Sequence, residues 1–175
     1  MTVALAGRRI DAKNAKSSRF PPNNLEFVRH ALREFFWSTH TDTLVSSAAC
    51  GADLLALDEA GKLGIRRLVV LPSSPEEFLQ SSVNDRPGDW QSIYQRAIAE
   101  SELLVLQSGS YAEASTTILD EAAKHPPVTA VLVWDGQSRG EGDLSESFGV
   151  EAKRRGFPVV TISTLQKPFQ RAISG

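Results

Sequence analysis

Short, continuous apolar runs alternate with segments of helical periodicity along this chain of 175 residues, and the alternation constrains the fold more than any single motif. The apolar runs lie at residues 2–6, 43–46, 67–72, 103–106, 128–134 and 157–162. Runs of this kind are typical of strands buried on both faces, and helices between them indicate βαβ units. The pattern predicts an α/β three-layer sandwich, with a mainly parallel sheet of about six strands and helices on both faces.

The composition excludes several classes of protein. Hydrophobic residues make up 41% and charged residues 23% of the chain, which is typical of a globular domain. With one cysteine and no run of about 18 apolar residues, we expect no internal disulfide, no membrane contact and a cytoplasmic location. A formal charge of −2 disfavours nucleic acid as a partner. We expect a single domain over residues 1–175.

The turn after the second apolar run consists of small residues, from Ser46, Ser47 and Ala48 to Gly51 and Asp53. Ligands of open parallel sheets bind beyond the carboxyl ends of the strands, where such a turn lets backbone N–H groups approach a phosphate. Small residues at this junction equally serve to pack a helix on a sheet. Asp53 also has two interpretations, as a ligand for ribose or as an acid that stabilises the first turn of its helix.

Gly7 ends the first apolar run and begins a basic loop. The loop contains five basic residues and one acid before Pro21. Its first residue, Arg8, carries a guanidinium that suits a forked hydrogen bond to phosphate. A solvated, mobile loop is the alternative interpretation.

The loop after the fifth apolar run contains Gly140 and Gly142 and leads into a helix. Glycines before a helix N-terminus are suited to a phosphate cradle. Trp134 ends the run that precedes this loop, and we expect its ring to line the pocket.

These motifs resemble the SLOG superfamily, a Rossmann-like group that includes the DNA-processing protein A domain and the LOG phosphoribohydrolases. Residues 46–56 are similar to the Ser-Gly-x-Ala-x-Gly-x-Asp-x-x-Ala turn of the DNA-processing branch, with Ser47 in place of the first glycine. The resemblance spans about residues 3–162. It implies a Rossmann-like sheet, and the pattern is closest to stand-alone domains that sense nucleotide-derived ligands.

The glycine-rich loop departs from the LOG pattern Pro-Gly-Gly-x-Gly-Thr-x-x-Glu. Asp143 or, in a shifted match, Ser145 stands where those enzymes have a phosphate-binding threonine, and Glu146 lies near the place of their glutamate. An acid at Asp143 repels phosphate unless it binds ribose hydroxyls or caps the following helix.

Other sites have no support in the sequence. Neither a Gly-x-Gly-x-x-Gly run after the first strand nor a Gly-x-x-x-x-Gly-Lys-Ser/Thr segment is present, and metal-ligating residues do not cluster. We therefore expect no metal and no cofactor. Cys50 lies near a helix N-terminus, and a packing role is favoured over a nucleophilic one because no histidine is close in sequence.

We predict a protein that binds a nucleotide or nucleotide sugar, with phosphate on the loops at residues 7–8, 47–51 and 140–142. Such a protein would transmit binding to a homo-oligomer or a partner. The alternative is a phosphoribohydrolase that cleaves the N-glycosidic bond of a nucleoside monophosphate, with Glu146 or Glu77 as the acid–base group. Glu77 has a second interpretation as an acid that stabilises a helix start. DNA binding is a third hypothesis, resting only on the basic loop.

Overall fold

The computed structural model describes residues 1–107 and 109–165, and most of the tail expected after the last strand lies outside them. The strands are β1 (Thr2–Gly7), β2 (Thr43–Ser46), β3 (Arg66–Leu71), β4 (Glu102–Val105), β5 (Val128–Trp134) and β6 (Val159–Ser163). The helices are α1 (Leu25–Ser38), α2 (Ala52–Lys62), α3 (Pro75–Ser82), α4 (Gln91–Ala99), α5 (Tyr111–Ala123) and α6 (Leu144–Arg154). A 3₁₀ turn, Pro22–Asn24, precedes α1.

The strands form one parallel sheet in the order β4-β3-β2-β1-β5-β6. Helices α1, α2 and α4 pack on one face of the sheet, and α5 and α6 pack on the other. Side chains alternate between two apolar cores, so that Val3 and Leu5 face one layer of helices while Ala4 and Val45 face the other. The predicted three-layer α/β sandwich is confirmed, and the fold is Rossmann-like.

Local signals explain where several helices begin and end. Ser74 caps α3 by accepting a hydrogen bond from the N–H of Glu77 at 3.3 Å, and Pro75 occupies the first turn. Gly64 follows α2 with a φ of +70°, the conformation that favours glycine after a helix. Asn24 stands at the N-cap of α1 without capping it, because its side chain donates to the carbonyl of Thr164 at 2.9 Å.

The two edge strands depart from the predicted burial. Leu103 and Val105 of β4 are each 40% exposed and Thr161 of β6 is exposed, whereas the apolar runs predict strands covered on both faces. The difference arises because β4 and β6 are the outer strands of the sheet. Across the described residues, no helix is long and apolar enough to cross a lipid bilayer.

The strand order reverses at β1, which lies between β2 and β5. The register pairs Leu5 with Ser46 and Gly7 with Val133, so the loops that follow β1, β2 and β5 leave the sheet side by side. In open α/β sheets, a crevice at the carboxyl ends of strands at such a switch point is the usual ligand site.

Candidate functional site

A cleft of about 470 Å³ opens at this switch point, bounded by the end of β1, the β2–α2 turn, α3, α5 and the loop into α6. Of the predicted binding residues, its wall includes Gly7, Arg8, Ser47, Asp53, Gly142 and Ser145. The others lie outside the wall, namely Ser46, Ala48, Gly51, Trp134 and Gly140.

Gly7 lets three elements meet at the base of the cleft. A Cβ at this position would lie 2.5 Å from the carbonyl oxygen of Val133 and would also overlap the Cβ of Ala52. The end of β1 therefore packs against both β5 and α2 only because residue 7 has no side chain.

Arg8 is buried and bonded to the loop after β5. Its Nε donates to Oδ1 of Asp135 at 2.8 Å, and its Nη1 donates to Oδ1 of Asp143 at 2.8 Å. Its Nη2 donates to the carbonyl of Gln137 at 2.5 Å. These bonds correct the role expected for Arg8, because its hydrogen-bond donors join β1 to the β5–α6 loop instead of standing open to a phosphate.

Asp143 closes the N-terminus of α6. Its carboxylate accepts hydrogen bonds from the backbone N–H groups of Ser145 at 2.9 Å, Glu146 at 3.3 Å and Arg139 at 2.8 Å. Burial by itself raises the pKa of Asp143, but the bonds from Arg8 and these N–H groups lower that pKa to about 2. Of the roles considered for this acid, the structure shows helix capping, and the N–H groups expected to hold phosphate are satisfied internally.

Trp134 supports Arg8 from behind. Its ring centre lies 5.4 Å from Cζ of Arg8, within the range of a cation–π contact, and the half-buried ring packs on the core beneath α5 and α6. The ring of Trp134, which was expected to line the pocket, therefore lies outside the cleft wall and holds the buried Arg8 in position.

The small-residue turn after β2 contacts the protein's own backbone. The N–H of Ala52 donates to the carbonyl of Arg8 at 3.0 Å, and the N–H of Cys50 donates to the carbonyl of Ser82 at 3.0 Å. Gly51 has a φ of +116°, and a Cβ on it would lie 2.6 Å from the carbonyl oxygen of Arg8. The close approach that this turn permits is thus to the β1–α1 loop.

Asp53 has an unsatisfied carboxylate oxygen at the cleft, as far as the described residues go. The residue is 8% exposed, its Oδ2 accepts a hydrogen bond from the N–H of Ala49 at 3.3 Å, and its Oδ1 is buried with no partner among the described residues. Burial raises the pKa of Asp53 to about 7, although the N–H of Ala49 and the charge of Arg9 act in the opposite direction. A carboxyl group of this kind in a cleft is a common mark of a functional site.

Arg139 is an exposed arginine on the same wall, and sequence reasoning did not single it out. Its guanidinium makes no ion pair or hydrogen bond within residues 1–107 and 109–165. Partial burial and then the charge of Arg8 lower the pKa of Arg139, so a neighbouring anion would be favourable.

The first turns of α5 form the facing wall. Tyr111 is 43% exposed, and its hydroxyl lies 2.7 Å from the hydroxyl of Ser82. The Tyr111 ring lies 6.3 Å from that of Phe78 beneath it. An exposed ring held by a hydrogen bond at its tip offers a flat apolar surface to a ligand.

The predicted catalytic acids are not brought into the cleft. Glu146 accepts a hydrogen bond from the hydroxyl of Ser138, and Glu77 is exposed on the first turn of α3. The cleft wall instead contains Asp53, the capping Asp143 and the exposed Glu141. In the described part of the chain, no group of three acidic, histidine or cysteine side chains could hold a metal ion.

Cys50 is buried under the β2–α2 turn. Its Sγ accepts a hydrogen bond from Nη2 of Arg9 at 3.6 Å, and burial raises the pKa of the thiol in spite of that charge. These surroundings are typical of a packing cysteine.

Comparisons with known proteins give a likeness of structure alone. No family profile matches the chain, and no curated protein matches it. The crystal structure of DNA processing protein A from Streptococcus pneumoniae is similar over 91% of this chain, with 16% sequence identity and a TM-score of 0.35. This chain covers 58% of the length of that protein. At this level of similarity, the Rossmann-like assignment rests on the strand order described above.

Two features of the site differ in how far sequence could have revealed them. Arg139 stands between Ser138 and Gly140 in a glycine-rich loop, so an anion contact at this residue could have been predicted from the sequence. Tyr111 gave no such signal, because only the crossover of α5 onto the face opposite α2 brings its ring to the cleft.

Proposed function

We propose that the protein binds a nucleotide or nucleotide sugar in the cleft, with a phosphate group on Arg139. The observation that carries this proposal is the position of Arg139. Its guanidinium lies on the wall of the cleft at the strand-order switch point and has no hydrogen-bond or ion-pair partner among the described residues. Guanidinium groups bind phosphate oxygens through short, charge-assisted hydrogen bonds.

The local charge balance supports an anion at this position. Arg8, Arg19 and Arg139 surround the two aspartates Asp135 and Asp143, and Arg19 donates to Oδ2 of Asp135 at 2.8 Å. Both aspartates are paired with Arg8 or Arg19, whereas the guanidinium of Arg139 has no partner among the described residues, and the exposed Glu141 is the further acid of this wall. A phosphate would supply the ion-pair partner that Arg139 lacks.

The opposite wall suits a base. Tyr111 presents its ring beside the apolar side chains of Leu5 and Ile118, and the hydrogen bond to Ser82 restricts its motion. Aromatic rings stack on nucleobases with little dependence on base identity. The cleft volume of about 470 Å³ lies within the usual range for small-molecule sites.

Asp53 favours a second candidate function, hydrolysis of the N-glycosidic bond of a nucleoside monophosphate. A carboxyl whose pKa is about 7 suits general acid–base catalysis at neutral pH. In this form of the hypothesis Asp53 replaces Glu146 and Glu77, which lie outside the cleft. DNA binding has less support, because the chain carries a net charge of −2. The processing of DNA is a property in the name of the structurally similar protein and not an observation on this chain.

A binding panel tests the proposal. Ribonucleoside mono- and diphosphates, nucleotide sugars and a single-stranded oligonucleotide are titrated by calorimetry into the wild type, Arg139→Ala and the matched control Arg154→Ala. Arg154 is suitable because its side chain is 71% exposed and it pairs with Glu151 on the outer side of α6.

We expect a mononucleotide or nucleotide sugar to bind the wild type and Arg154→Ala equally, and Arg139→Ala about tenfold or more weakly. The mixtures are then chromatographed, and released base would replace the binding function with the hydrolytic one. No binding by any small ligand, or equal binding by Arg139→Ala, contradicts the proposal.

A further inference from the structure

We infer that the cleft selects ribonucleotides over 2′-deoxyribonucleotides, because Asp53 accepts a hydrogen bond from the ribose 2′-hydroxyl of the bound ligand. The inference rests on the proposed function and specifies the class of ligand that this site takes.

Asp53 has a buried carboxylate oxygen that lacks a hydrogen-bond partner in the described part of the chain. Buried polar atoms in folded proteins almost always have a hydrogen-bond partner, so a buried carboxylate oxygen without one requires an explanation. Oδ1 of Asp53 has no partner among the described residues, while the residue lines the cleft with 8% of its surface exposed. Because χ2 of aspartate is a broad torsion, a small rotation turns either oxygen toward a ligand.

Neighbouring groups do not supply this partner. An acid in the first turn of a helix commonly interacts with the N–H groups of that helix, but Asp53 bonds instead to the N–H of Ala49 in the preceding turn. Arg9, whose charge lowers the pKa of Asp53, directs its Nη2 to Asp85 and Cys50, and its Nε makes no hydrogen bond to a described residue. A hydrogen-bond donor from a ligand would therefore satisfy an oxygen that has no partner in the described part of the chain.

Asp53 and Arg139 lie on the two sides of the cleft. Asp53 lies on the β2 side, Arg139 lies on the β5 side, and β1 runs between them. Gly7 at the end of β1 lines the cleft between the two residues. A ligand with its phosphate on Arg139 and its sugar across the end of β1 would bring the sugar hydroxyls toward Asp53, and these hydroxyls are hydrogen-bond donors.

The buried charge of Asp53 favours a ligand that donates a hydrogen bond to it. Burial raises the pKa of Asp53 to about 7, so at neutral pH about half of the molecules carry a charge that is poorly compensated in the free protein. The 2′-hydroxyl of a ribose stabilises that charge by donating a hydrogen bond. A 2′-deoxy sugar covers the charge and has no donor at this position. Sites built around a substrate hydroxyl discriminate strongly against the analogue that lacks it.

The test compares matched ligands by calorimetry at pH 8. They are ribose 5-phosphate with 2-deoxyribose 5-phosphate, and the four nucleoside 5′-monophosphates with their 2′-deoxy forms. Each pair is titrated into the wild type, Asp53→Ala and the control Asp89→Ala, an aspartate exposed on the surface. If Asp53→Ala fails to fold, Asp53→Leu takes its place, because leucine has a similar size and no hydrogen-bond acceptor.

We expect the wild type and Asp89→Ala to bind the ribo form about tenfold or more tightly than the deoxy form. In Asp53→Ala, or in Asp53→Leu if it is used, this ratio falls to about threefold or less while the deoxy form still binds. Equal binding of ribo and deoxy ligands by the wild type overturns the inference and leaves the proposed function standing. An unchanged ratio in the Asp53 variant also overturns it, and binding of neither form overturns both proposals.

Discussion

Nη1 of Arg8 donates to Oδ1 of Asp143 at 2.8 Å, and both side chains are buried although 135 residues separate them in the sequence. The bond joins the end of β1 to the residue that caps α6. Asp135 binds the same guanidinium through Nε. The loop that carries Arg139 is therefore held to the sheet by a buried ion-pair network, and the wall of the cleft is formed before any ligand arrives.

Replacing Arg8 by alanine is expected to destabilise the fold by about 3–5 kcal/mol, because it leaves the buried carboxylate of Asp143 without its cation and leaves Asp135 with Arg19 alone. Urea unfolding monitored by circular dichroism measures the change. The exposed control Arg154→Ala should cost about 0.5 kcal/mol or less. Similar losses in the two variants would show that the network does not stabilise the cleft.

Asp143 should give the fold an acid-labile component. Its pKa is about 2 in the folded protein against an ordinary value of 3.8, so its contribution is complete above about pH 4 and disappears as the pH falls through 2. The stability advantage of the wild type over Asp143→Asn should decrease by about 2 kcal/mol between pH 6 and pH 2. Urea unfolding across this range provides the measurement, and a constant difference would contradict the assignment.

Asp53 should have the opposite effect on stability. Its pKa is about 7 in the folded protein and has an ordinary value of 3.8, so the folded state holds a proton that the unfolded state releases between these pH values. Relative to Asp53→Asn, the wild type should lose about 1.4 kcal/mol for each pH unit from about pH 4 to pH 7. Thermal unfolding of both proteins follows this trend. Parallel pH profiles of the two proteins would contradict the raised pKa of Asp53.

Gly51 should be far less replaceable than Gly64, although both have positive φ angles. Alanine at position 64 meets no atom within 4 Å and should cost about 1–2 kcal/mol through backbone strain alone. Alanine at position 51 would also place its Cβ 2.6 Å from the carbonyl oxygen of Arg8, so the loss should be at least twice as large. Chemical unfolding of the two variants makes the comparison, and equal losses would contradict the packing of the β1–α1 loop on this turn.

Much of the fold could be predicted from local pattern. Strands β2 and β5 have the predicted bounds, because continuous runs of β-branched and apolar residues end at clear polar or proline signals. The exposure of β4 could not be predicted, since its run resembles that of a central strand and only the strand order places it at the edge.

The site was harder to predict, because its chemistry depends on pairs distant in sequence. Arg8 has the residue type and position of a phosphate ligand, and only the tertiary structure shows that Asp135 and Asp143 bind it. Asp53 was named with two interpretations, and its unsatisfied oxygen is a property of the folded surroundings. Sequence located the loops that form the cleft but not which of their side chains remain available to a ligand.

Mapping the binding surface by NMR tests the central claim most directly. ¹⁵N-labelled protein is titrated with the nucleotide that stabilises it most in the binding panel, and the amide shifts are followed residue by residue. We expect the largest changes at the cleft wall, at Gly7, Asp53, Arg139 and Gly142, and we expect Arg139→Ala to need about tenfold or more of the nucleotide for the same changes. Shifts confined to the far edge of the sheet around β4, or an unchanged titration of Arg139→Ala, would contradict binding in the cleft.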